Sequence, residues 1–193
     1  MGMRLLALLA LVSASSGCAH ASNSPHAAVQ GQANSAVAST PLDSSRHDGP
    51  PVKTAKEECE DLMNAVVPFA RQMLTQHREF YPFGGAIAAD GKIVAVGGHT
   101  GDEHPAAKDV IALLENGFKE AAKGGKYRAT ALVMDMLVVP PGRDAKQDAI
   151  AVRLDHRDGY SAVVVFPYTI GAAGDVTIEA PYAVKGEQQI FAR

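Results

Sequence analysis

The chain has no tryptophan, only 6% aromatic residues, and two cysteines, Cys18 and Cys59, among its 193 residues. So few rings leave little to stack on bases or sugars. Net charge is only −3, so no basic face is on offer to nucleic acid phosphates. Two cysteines make no disulfide framework, the more so because Cys18 lies in a segment expected to be processed. Catalytic signatures are absent too. There is no G-x-S-x-G, no H-E-x-x-H, no P-loop and no C-x-x-C. What remains is an ordinary globular balance, 47% hydrophobic and 20% charged, enough for one core.

The first residues carry an address. Arg4 supplies a positive charge, Leu5–Val12 (LLALLALV) is an unbroken apolar run, and small residues follow. That is the order of an export signal, and the run is too short to span a bilayer. Two cuts compete. Ser16-Gly17-Cys18 suits lipoprotein processing, in which the thiol takes the lipid, although Ser15 stands where a large aliphatic residue is usual. Ala19-His20-Ala21 is an A-x-A pattern whose cut would release a soluble form. The polar tract behind them favours Cys18. It is rich in Ser, Ala, Pro, Gly and Asn and cannot bury enough surface to offset the entropy of ordering. A flexible coil of that length reaches roughly 30–35 Å, a tether for a domain standing off a membrane. Ala19, not Asp, follows Cys18, which in a Gram-negative cell points to the outer membrane. The expected organisation is a signal over 1–17, a disordered tether over 18–55 and one domain over 56–193.

Composition changes near Thr54. Leu62, Val66, Phe69 and Met73 form the stripe of an amphipathic helix. Thr54 and Glu57 make a capping box, and Pro68 predicts a kink. Asp90-Gly91 between apolar runs predicts a hairpin, with strands at about 83–89 and 92–98. Gly84-Gly85 and Gly97-Gly98 read as its strand ends. Pro105 suits the start of a second helix, with Val110, Leu113, Leu114, Gly117 and Phe118 on one face and Gly124-Gly125 at its end. A long strand follows in YRATALVMDMLVV, then a hairpin turning at Asp158-Gly159, and a last strand at about 176–184.

The order α-β-β-α-β-β-β with tight turns predicts an α+β fold: two layers, a mostly antiparallel sheet of five to six strands, and both helices on one face. The order is similar to roadblock and profilin-like domains, an analogy that brings no function. The stretches EFYPFGGAIAADGKI, GKYRATALVMDMLVVPPG and DAIAVRLDHRDGYSAVVVFPY resemble an uncharacterised family of small exported bacterial proteins over about residues 57–170. The resemblance implies a shared fold unit and no chemistry.

Few residues offer chemistry. HTGDEH places His99 and His104 beside two carboxylates, weak candidates for a metal with His156 or His77 as a further ligand. The plainer reading is a solvated turn whose Asp102 or His104 caps the following helix. Asp135 interrupts an apolar strand, and a buried carboxylate must be paired or protonated. Alternation along the next strand sets Arg153 and Asp155 apart from Ile150, Val152 and Leu154, which predicts Arg153 facing Asp135. His156 shares the parity of the core residues. These four, Asp135, Arg153, Asp155 and His156, are the candidate polar site. Cys59 sits in the first helical turn, where the helix dipole lowers a thiol pKa but nearby carboxylates oppose it.

The composition thus points to a lipid-anchored envelope protein without a cofactor, binding a protein or cell-wall partner and no nucleic acid. A metal-assisted hydrolase built on His99 and His104, and a small-ligand sensor domain, are the alternatives.

Overall fold

A computed structural model of the chain describes residues 52–192. The expected signal, Cys18 and most of the expected tether lie outside the described residues. Helix α1 spans Ala55–His77 and helix α2 spans Ala107–Lys123. The strands are β1 (Phe83–Ala88), β2 (Ile93–Val96), β3 (Tyr127–Val138), β4 (Gln147–His156), β5 (Ser161–Ile170), β6 (Val176–Ile178) and β7 (Tyr182–Lys185). Every pairing is antiparallel, in the order β2-β1-β3-β4-β5. β6 and β7 share the outer edge of β5, one beside residues 168–170 and the other beside 162–165. Between them stands Pro181, which has no N–H to give to a ladder. The fold is α+β, in the element order expected, with seven strands where five to six were expected.

Local chemistry explains the ends of the elements. Thr54 accepts from the Glu57 N–H while the Glu57 carboxylate accepts from the Thr54 N–H at 2.7 Å, a complete capping box. α1 runs through Pro68, which lies on its exposed side. α2 starts at Ala107 rather than Pro105, and its N-cap Ala106 has no side-chain acceptor. Asp90-Gly91 turns the β1–β2 hairpin with Gly91 at φ +88°, a conformation other residues rarely adopt.

The helices do not share one face, contrary to expectation. Cys59, Leu62, Val66, Ala70 and Leu74 of α1 pack with Ala129, Ala131, Val133, Ile150, Val152 and Leu154. Val110, Leu114 and Phe118 of α2 pack with Ala86 and Leu132, which point the other way from the same strands. The domain therefore has three layers, with the sheet in the middle. Two adjacent glycines in β1 show why. A Cβ on Gly84 would lie 2.5 Å from Phe118 Cζ of α2, and one on Gly85 would lie 2.7 Å from Val66 Cγ1 of α1. These glycines sit inside β1, not at its end, and let both helices approach closely. The apolar run in β3 carries the same message, since five successive residues, Ala129–Val133, are buried. Continuous burial belongs to a strand covered on both faces. Phe69 and Leu113, read as core, are instead substantially exposed.

Candidate functional site

The helix cap sets the phase of the first turn of α1. With Glu57 turned back to Thr54, the next two residues face the sheet, so Glu58 is only 8% exposed and Cys59 is fully buried. A buried carboxylate needs partners, and Glu58 has two. His156 Nε2 lies 3.0 Å from Glu58 Oε2, and Arg128 Nη2 lies 2.5 Å from Glu58 Oε1. His156 arrives from the end of β4, on the core face that its parity with Ile150, Val152 and Leu154 assigns. Arg128 arrives through an irregularity. Ile87 pairs with Ala129 but Ala88 pairs with Tyr127, so Arg128 is an extra residue in β3. Such a bulge re-aims a side chain, here toward Glu58.

The network fixes the imidazole. The Asp158 N–H donates to His156 Nδ1 at 3.1 Å, so Nδ1 is an acceptor and Nε2 carries the proton given to Glu58. Both ring nitrogens are thus occupied. Beside them, burial first and then the charges of Asp155, Glu58 and Glu60 push the Cys59 thiol up to about 12. That thiol stays protonated and is no nucleophile at neutral pH.

Above this cluster lies a cleft of about 700 Å³ between the start of α1 and the β1–β2 hairpin. Its polar lining is Lys53, Glu58, Asp61 and Arg128, and Val52, Ile87, Gly91 and Ile93 complete it. Lys53 and Asp61 form an ion pair at the solvent side.

The four residues read from the sequence as one polar site do not meet. Asp135 is opposite Ile150 and Arg153 is opposite Leu132, which places them on opposite faces of the sheet. Arg153 pairs instead with Glu115 of α2. Asp155 Oδ2 accepts from the N–H groups of Gln189 and Ile190 at 2.8 and 2.7 Å, pinning the C-terminal segment over the α2 side. Asp135 accepts from the Tyr168 hydroxyl at 2.9 Å. Burial raises its pKa, the Tyr168 hydrogen bond opposes this, and the charges of Asp148 and Glu79 add to the rise. Asp135 shares a face with His156 but lies six residues farther along β3, about 20 Å away.

His99 and His104 are exposed, and the His104 N–H donates to Asp102 Oδ1 at 3.1 Å within a turn. Among the described residues no three His, Cys, Asp or Glu side chains are placed to hold a metal. No described helix is long and apolar enough to cross a membrane.

Sequence reasoning missed Glu58, Arg128, Lys53 and Asp61 as site residues. Glu58 was within reach, because a capping box ending at Glu57 turns the next position inward. Arg128 had no signal, since a one-residue bulge leaves no mark in an apolar run.

Comparison with protein-family models, curated proteins and solved structures finds no match for this chain.

Proposed function

We propose that this chain is a cell-envelope lipoprotein, anchored through lipid on Cys18, whose folded part is a non-catalytic binding module. The observation that carries the binding half is the state of the polar groups in the cleft. Among the described residues its imidazole neighbour, His156, has both nitrogens engaged, its thiol neighbour, Cys59, is buried and protonated, and its carboxylates are paired with cations. General acid–base or nucleophilic work needs a group free to accept or attack. A cleft whose charged groups are held in place suits recognition instead. Its volume lies within the range small ligands occupy.

The anchoring half rests on the sequence: Arg4, the apolar run Leu5–Val12, Cys18 and the polar tract behind it. Several acyl chains on one terminus are enough for stable membrane attachment. Mass spectrometry of the mature N-terminus tests it. An acylated Cys18 is the expected result, and a free terminus at Ser22 overturns it.

A further inference from the structure

We propose that the cleft beside Glu58 and Arg128 binds a short zwitterionic peptide, holding its carboxylate at Arg128 and Lys53 and its ammonium at Asp61. This rests on reading the domain as a binding module. Four charges line the cleft, two of each sign: Lys53 and Arg128, Glu58 and Asp61. In the free cleft each cation already faces a carboxylate, Lys53 with Asp61 and Arg128 with Glu58. A ligand of one sign strands the partner of any contact it takes over, whereas one carrying both signs replaces what it breaks.

The two ion pairs differ in how easily they yield. Lys53–Asp61 is exposed, with 59% and 45% of the side-chain surface open to solvent. Solvent-exposed pairs hold weakly, so a ligand exchanges them at little cost. Glu58 is different. It is buried and held by both His156 and Arg128, so it stays in place and fixes the guanidinium. Arg128 Nη2 serves Glu58, and Arg128 Nε is buried away from solvent. A guanidinium has five N–H donors, and about a quarter of this side chain stays open, so its outer Nη groups keep capacity for a carboxylate.

Gly91 borders that guanidinium. A Cβ there would stand 3.4 Å from Arg128 Nη2, in van der Waals contact, and a longer side chain would extend over it. Ile87 and Ile93 line the remaining wall, which suits aliphatic side chains on the peptide.

The test uses the full-length chain, isotopically labelled, titrated with alanyl-leucine and followed by backbone amide NMR shifts. Saturable shifts at Gly91, Ile93 and Arg128 at up to roughly ten millimolar ligand are expected. N-acetylation or C-amidation of the dipeptide each weakens binding roughly tenfold, the loss of one charge-assisted hydrogen bond. Gly91→Asn, which tolerates positive φ, crowds Arg128 and weakens the free dipeptide more than its C-amidated form. Asp61→Asn, at an exposed position, weakens the free dipeptide but not its N-acetylated form. No shift in the cleft, or equal binding of the free and N-acetylated dipeptides, overturns the proposal. Mass spectrometry of the ligand separates the two readings. An intact dipeptide that does not bind overturns the site alone. A dipeptide that binds the cleft and is cleaved keeps the site and overturns the non-catalytic reading.

Discussion

His156 Nε2 and Glu58 Oε2 stand 3.0 Å apart across a separation of 98 residues, joining the first turn of α1 to the last residue of β4. His156 is almost fully buried, and Glu58 shows only a small part of its surface to the cleft. The contact ties the N-terminal helix to the centre of the sheet and holds Arg128 at the edge of the cleft.

Removing Glu58 leaves the buried His156 Nε2–H with no acceptor and takes the carboxylate from Arg128. Stranding a buried donor costs about 1–3 kcal/mol. Glu58→Ala is therefore expected to lower the urea unfolding midpoint sharply, with an unchanged slope. Glu58→Gln, which keeps an acceptor for one partner, is expected to cost less. Equal stability of Glu58→Ala and the parent would contradict the pairing.

Asp135 gives a pH signature. Burial raises its folded pKa above the unfolded value, so the native state holds the proton longer. The stability linked to this group is full below the unfolded carboxylate range and falls as pH rises through the folded pKa. Asp135→Asn keeps an acceptor for Tyr168 and removes the titration. The variant should melt higher at neutral pH, and its melting temperature should vary less as pH rises above the unfolded carboxylate range. A variant less stable than the parent at pH 7 would show that the charge is welcome there.

Cys59 should be inert in the native state. With no exposed surface and a thiol pushed up to about 12, it offers almost no thiolate at pH 8. Peptide mapping after iodoacetamide treatment is expected to find it unmodified until urea unfolds the domain. Prompt native-state alkylation would place it at the surface.

Gly84 tests the three-layer arrangement. A methyl group there meets Phe118, itself fully buried with no room to swing away, and the Ala131 carbonyl. Gly84→Ala should cost about 1–3 kcal/mol by overpacking. Truncating Phe118 to Ala in the same chain should recover part of that loss, because the two changes share one contact. Strictly additive losses would separate α2 from β1.

The elements were legible residue by residue. Thr54 and Glu57 announced a helix start, Asp90-Gly91 and Asp158-Gly159 announced hairpins, and Gly124-Gly125 announced a helix end, because caps and tight turns are written in neighbouring residues. The sheet's second covered face was not read: both helices were expected on one side, although the unbroken run through Leu132 and Val133 fits a strand buried on both faces. The site was less legible. Parity placed His156 on the core side, but it paired Asp135 with Arg153, which the register separates onto opposite faces.

By itself the sequence determined the class of the fold and the positions of its turns and helix ends, since these depend on contacts within a few residues. Only the tertiary structure decided where the charges meet. Glu58, Arg128 and His156 come from three elements, and their meeting depends on a capping phase, a single extra residue in β3 and the register of β3 on β4. A shift of one residue in a strand turns every side chain to the other face. No local pattern records such a shift, so a cleft built on it appears only once the chain is folded.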